Sequence, residues 1–563
     1  REIGFTVLSI TISLVAVFIP ILLMGGIVGR FFFEFAVTIS LAIIISGFIS
    51  LTLTPMLCAR LLTQGHGHDE KQNALSRIFE AGYNAMARAY ERSLDWSLRH
   101  RTLMLLLTLG TIWATAWAFN TVKKGFLPIE DTSIIIVRTE GSSDISFQAM
   151  LERQRLVAEA VRTDPDVLYV NSNVASGGFN PTLSRGTIFV QLKARSERAG
   201  KATIVDVQNR FRRKLADIVG IRAFPQPLQN LRIGSRGGAS AYQYTLTSVS
   251  QAELYASAAR LLEQIKVTPG FADVTSDLQL GARQVTLNVD RDALARYGVS
   301  METVRSTLYS AFGTRKIASV FTASNDYAVI VEADKARQLD PSILSKVFVR
   351  SANGQLVRLD SLASITLGSG PTAVARQSQL PAVTITFNLA PGFTLGEAVI
   401  RLGDVERQIA MPLSITGQFA GTAQVFQDSF RDQPILILAA ILTIYIVLGI
   451  LYESFIHPIT ILSGLPSASL GALLTLILFD VELTIIAMIG IILLIGIVKK
   501  NAIMMVDFAI EARSKGATPE AAIREACLLR FRPIMMTTMA ALFGTLPIAI
   551  GWGAGAELRQ PLG

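Results

Sequence analysis

Seven stretches of this chain are nearly free of charge, and each is about as long as a bilayer is thick. They cover residues 4–24, 35–59, 102–119, 434–452, 459–479, 483–510 and 533–552. A helix of about 20 apolar residues crosses a membrane. Such stretches satisfy their backbone in lipid only as helices or closed barrels. A polytopic α-helical membrane protein is therefore expected. Composition agrees: of 563 residues, 17% are charged, against roughly 25% in soluble domains.

Lys and Arg set the orientation. Arg60, Lys71, Arg77, Arg88, Arg92, Arg99 and Arg101 lie between the second and third stretches; Arg513, Lys515, Arg524, Arg530 and Arg532 lie between the sixth and seventh. With both basic connections in the cytoplasm, the first span runs outward and residues 120–433 lie outside. The net charge of +9 thus follows topology, which excludes a nucleic-acid reading. Cys58 and Cys527 both fall on the cytoplasmic side, where no structural disulfide is expected. The chain starts at Arg1 with no signal-like segment, and both ends read as truncations. In the first basic connection, Leu75, Phe79, Met86, Tyr90 and Leu94 recur at helical spacing, predicting an amphipathic helix in the cytoplasmic interface.

The outer region alternates strand and helix patterns. Strands are expected at 133–139, 167–174, 186–192 and 222–228, with helices at 147–162 and 203–218. That order, β-α-β-β-α-β, is the ferredoxin-like split unit. The pattern restarts with strand 242–247, helix 251–266 and strand 272–277. It resumes with strand 382–389, helix 395–409 and strand 413–419, after an insertion over about 282–378. The fold class expected is a helical membrane protein carrying a large α+β region of such subdomains. Thr11 and Pro20 in the first span share their spacing with Thr538 and Pro547 in the last, a faint sign of repeated halves.

Lys499 and Lys500 are the sharpest feature. They interrupt an apolar stretch whose helix would be about 42 Å long, against a core of ~30 Å. Two readings stay open on the residues alone: lysines snorkelling to the surface, or a lysine inside the membrane that needs a counter-charge. Asp507, seven residues on, shares roughly one face with Lys500 and is expected to mark the cytoplasmic end. His66 and His68 sit in a short Gly-rich stretch that reads as a loop rather than a metal site. No nucleophile–base pair, P-loop or zinc motif is evident, so no enzyme, metal or cofactor is expected, and an ion gradient is the expected energy source. The Gly- and Ser-rich connection 175–186, with Phe179 at its tip, reads either as a substrate loop or as an ordinary hairpin.

Longer motifs carry a resemblance across the whole chain. They include REIGFTVLSITISLVAVFIPILLMGG (1–26), EFAVTISLAI with SLTLTPMLCARLL (34–62), GFLPIEDTS (125–133), LYESFIHP (451–458), GIVKKNAIMMVDFA (496–509) and RFRPIMMTTMAALFGTLPIAIGWGAGAE (530–557). The chain resembles the resistance-nodulation-division (RND) efflux pumps, in the hydrophobe/amphiphile multidrug branch and of the MdtB/MdtC type. The resemblance implies membrane helices 5–6 over 1–62, a cytoplasmic interfacial helix over 63–101, helix 7 over 102–119 and helices 8–11 over 434–552. Between them it implies one porter subdomain at 125–235, a second at 236–281 with 379–425, and a docking subdomain at 282–378. It implies a trimer, homomeric or mixed, in the bacterial inner membrane. That trimer exports drugs and other amphiphiles in exchange for protons, with a periplasmic adaptor and an outer-membrane channel as partners. The family's relay lysine precedes Asn-Ala, which here makes it Lys500 before Asn501; the relay threonine and arginine match Thr537 and Arg530. The lysine's carboxylate partners would lie on a helix upstream of Arg1, so this piece alone is expected to be transport-dead. Phe189 matches a pocket phenylalanine, while the stretch 171–178 lacks the rest of that cluster. A heavy-metal exporter would need soft ligands outside the membrane, and residues 120–433 hold only Met150, Met301 and Met411, far apart. A non-transport membrane component of the same fold is the other alternative.

Overall fold

The computed structural model describes residues 2–61, 74–175, 182–231, 238–334, 338, 340–371, 373–551, 553 and 555–563. Phe179, His66 and His68 lie outside the described residues.

Among the described residues, six helices are long and apolar enough to cross a membrane: Gly26–Leu61, Arg101–Thr121, Gln433–Tyr452, Ile456–Leu478, Ile485–Ser514 and Pro519–Ile550. The first expected span differs. It forms a helix over Glu2–Ala16 and a short one over Ile19–Leu22. Pro20 has no N–H to offer the carbonyl of Ala16, so the helix stops there. The last helix runs unbroken through Pro533 and Pro547, so the matched Thr–Pro spacing does not produce matched shapes.

Several boundaries also move. The second span starts at Gly26 rather than at the expected Phe35. The fourth starts at Thr422 and carries its helix up into the outer region. The connection after Ser514 shrinks to a turn, and Arg524, Arg530 and Arg532 lie within the last helix. The start signal was present in the sequence. The Thr518 side chain accepts from the Ala521 N–H and Pro519 opens the helix, the arrangement helix starts favour.

The amphipathic segment is a helix over Ala74–Arg99. It docks on the last span, where Arg524 donates to Asp95 and Glu91, both at 2.7 Å. Tyr90 stacks on Phe531 with centroids 4.5 Å apart.

Outside the bundle, β1 (Ile134–Gly141), β2 (Val167–Val174), β3 (Arg185–Leu192) and β4 (Ile221–Pro227) form an antiparallel sheet ordered β2-β3-β1-β4. Helices Phe147–Arg162 and Ile204–Ala216 cover one face. Ile135, Val137, Ile188 and Val190 meet Met150, Val157 and Phe211 in its core. Thr203 and Asp206 close a reciprocal cap at the second helix. The next unit repeats this topology: β5 (Tyr242–Thr247), β6 (Phe271–Ser276), β7 (Leu380–Leu389) and β8 (Thr416–Ala420). β7 pairs with both β6 and β5, and β5 with β8. Two ferredoxin-like units are thus present, as the strand order predicted.

Between β6 and β7 lies the insertion. Ala282–Val289 pairs with Ala363–Gly370 along its full length, and Arg315–Phe321 pairs with Asp326–Val331 as an exposed hairpin. Leu294, Val304, Val349 and Leu359 give it a small core of its own.

The two units are joined by polar contacts on a buried carboxylate. Glu140 of β1 accepts from Thr275 Oγ1 at 3.0 Å and Gln279 Nε2 at 2.6 Å, and it pairs with Arg185 and Arg222 of its own sheet. Arg212 reaches across to Asp273 at 2.8 Å. The core of the second unit is continuous with the helix bundle through Phe126 and Phe426.

Candidate functional site: charge between the membrane-spanning helices

The helix Ile485–Ser514 is held at its start by Thr484, whose side chain accepts from the Ala487 N–H. It packs against Glu2–Ala16, Leu465–Leu478 and Pro519–Ile550. Its buried residues, Ala487 apart, run Ile485, Met488, Ile489, Ile492, Ile495, Gly496, Lys499 and Ile503. That spacing is one face of a helix, and Lys499 lies on it.

Lys499 is fully buried. Its Nζ donates to the backbone carbonyl of Ser13, in the final turn of the broken first helix. Carbonyls there run short of helical donors, and the negative end of the helix dipole favours a cation. A lysine at mid-membrane costs about 2.5–3.5 kcal/mol on insertion scales. A dipole end offsets up to ~2 kcal/mol in partly buried geometries, so the site holds the charge at a net cost.

Of the two lysines the resemblance picks Lys500 as the relay; the fully buried one is Lys499. Consecutive helix residues point about 100° apart, so both cannot share the stripe, and Lys500 is only half-buried. Among the described residues, neither lysine has a carboxylate within ion-pair distance. Asn501 is also half-buried. Arg530 has its guanidinium 5.4 Å from the Phe508 ring, and its buried Nε has no partner. Thr537 is exposed, and its hydroxyl donates to the Ile534 carbonyl at 3.0 Å. No hydrogen bond joins Lys500 to Asn501, Arg530 or Thr537 among the described residues.

Asp507 is more than an end marker. Tyr452 donates its hydroxyl to Asp507 Oδ1 at 2.5 Å, while the buried Oδ2 has no partner. Sequence reasoning did not single out Tyr452 or Ser13. Their pairings join residues 55 and 486 positions apart, which no local pattern encodes.

In the outer region Phe189 sits on β3 between Ile188 and Val190, which are both fully buried, while Phe189 itself is 44% exposed. Strand alternation therefore turns it to the face opposite the helices. Ile136 pairs with Phe189 on one side and Gln226 on the other. Ile136 and Gln226 line a cavity of about 680 Å³ that also touches Arg138, Tyr242, Phe393 and Glu482. Burial pushes the Glu482 carboxyl up from its ordinary range, although the nearby Lys123 ammonium pulls the other way.

The whole chain, residues 1–563, matches the AcrB/AcrD/AcrF family. It is 46% identical over 564 residues to the multidrug resistance protein MdtC of Klebsiella pneumoniae subsp. pneumoniae, covering 100% of this chain and 54% of that protein. The MdtC of Enterobacter sp. matches to the same extent, and that of Escherichia coli O139:H28 is 45% identical with the same coverage. The chain thus spans about half the length of these relatives.

Proposed function

This chain belongs to the AcrB/AcrD/AcrF family of RND transporters, and we propose that it forms membrane helices 5–11, with the outer region between them, of the inner-membrane subunit of a proton-driven pump. That pump exports drugs and other amphiphilic compounds across the Gram-negative envelope. Its partners are a periplasmic adaptor protein, an outer-membrane channel and like subunits in a homo- or heterotrimer. The two ferredoxin-like units serve as porter subdomains and the insertion as a docking subdomain.

The observation that carries this reading is the lysine pair amid a 30-residue helix otherwise apolar at its centre. Charge at that depth is costly, and where it occurs it marks an ion pathway. Lys500 is assigned the proton-responsive charge, with carboxylates supplied from outside this stretch of chain and with Asn501, Arg530 and Thr537 along the path. Protonating such a carboxylate removes the lysine's counter-ion and lets the helices repack. Phe189 and Phe179 are assigned to substrate contact. The position of Ile136 and Gln226 at the cavity, beside Phe189 across the sheet, supports the first of these.

Lys500→Ala in the full-length parent tests the reading. Export of deoxycholate, driven by an imposed pH gradient in proteoliposomes, is expected to fall by at least about tenfold, the signature of a lost turnover step. Export at the wild-type rate would remove Lys500 from the mechanism.

A further inference from the structure

We infer that Lys499 is a positioning residue for proton coupling: its charge clamps the broken end of the first helix to the helix that carries Lys500. The inference rests on the transport reading above and assigns a part to a residue that reading leaves unused. Three observations carry it. Lys499 is fully buried and its Nζ donates to the Ser13 carbonyl. Ser13 lies in the last turn before the break ahead of Pro20. The two helices also touch closely beside this contact, since a Cβ added at Gly496 would meet Leu14 at 3.1 Å.

The choice of residue is the telling part. A methionine has a similar length and would fill the site without a desolvation cost, and replacing buried charge by well-packed apolar groups is often neutral or stabilising. The fold therefore does not call for an ammonium here. Its value lies in what an apolar side chain cannot do, which is to bind a helix end through its dipole and join that helix to the backbone next to Lys500. When the charge balance at Lys500 changes, the first helix moves with it. A two-state element biased by a neighbouring charge is the physical content of such coupling.

Full-length parent carrying Lys499→Met, reconstituted in proteoliposomes, tests this with deoxycholate as the probe. The expected result is a fall in kcat of about tenfold with KM within about twofold, and a thermal midpoint equal to or above that of wild type. Lys499→Gln, which keeps a donor for Ser13 but no charge, is expected to lose turnover in the same way and decides the case if the methionine variant fails to accumulate. Wild-type turnover in the variant, or lost turnover accompanied by a lowered midpoint, overturns the inference. If Lys500→Ala abolishes export while Lys499→Met leaves it intact, only this inference falls. If wild type itself exports nothing, the transport reading falls and takes this with it.

Discussion

Arg198→Met is expected to destabilise the first outer unit by about 3–5 kcal/mol, the cost of stranding one partner of a buried ion pair. The Arg198 side chain has no exposure and that of Asp131 has 8%. The guanidinium grips the carboxylate with two bonds, at 2.7 and 2.8 Å. Its other protons go to the Ser133 hydroxyl and to the carbonyls of Lys193 and Ala202. Asp131 in turn accepts from the backbone N–H groups of Ser133 and Ile204. Methionine replaces the stem but none of the five donors, and it leaves a carboxylate in a site largely shielded from water. The measurement is the thermal midpoint of the detergent-solubilised full-length parent, with Arg198→Met/Asp131→Leu as the control. The double variant is expected to recover part of the loss, because it removes the stranded charge. A loss below about 1 kcal/mol, the range of exposed pairs, would mean that the pair is solvated.

The same pair has a pH signature. Burial pushes the Asp131 carboxyl up, but the Arg198 guanidinium and the two backbone donors outweigh it and hold the carboxyl below the usual carboxylate range. Its contribution is therefore complete above the unfolded value of about 3.9. It fades as the pH falls through the lower folded value. The difference in midpoint between wild type and variant should be constant near neutrality and narrow only in acid below pH ~3.9.

Phe387→Ala is expected to cost about 3–5 kcal/mol in the second unit, through lost transfer energy and the cavity left behind. Phe387 lies in β7, fully buried. It faces Tyr242 across the strand pair, and its ring meets Phe271 edge-on with centroids 5.1 Å apart. Because β7 pairs with β5 and β6 alike, the cavity opens in the middle of the sheet, where neighbours have little freedom to close it. The readout is protease sensitivity of the outer region, together with the thermal midpoint. A fall on the order of 10 °C is anticipated, at roughly 2–4 °C per kcal/mol for a unit of 150–250 residues. Phe387→Leu should recover most of it, because cores tolerate apolar swaps that nearly conserve volume. No change in either readout for the alanine variant would show that the packing around Phe387 contributes nothing to the unit.

How much of the molecule the chain announced depended on whether the signal was local. The two β-α-β-β-α-β units could be read because their strands alternate and their helices begin at capping residues such as Ser146 and Thr203. Phe189 was singled out by resemblance alone, and its place on the open face came from the burial of Ile188 and Val190 on either side. The break at Pro20 and the early start at Thr518–Pro519 were also written locally, in residue chemistry that an apolar-run reading passes over.

The helix of Lys499 and Lys500 is the opposite case. It is apolar nearly all round, so no periodicity marks which side faces protein and which faces lipid. The sequence by itself determined that charge interrupts an apolar stretch longer than a bilayer core, because length and hydropathy are sums over neighbouring residues. It also determined the order of strands and helices outside. Only the tertiary structure decided that Lys499 takes the buried position, that the Ser13 carbonyl receives its charge, and that Tyr452 holds Asp507. Those choices depend on contacts between segments far apart in the chain, and a helix that is greasy on every side carries no record of its partner.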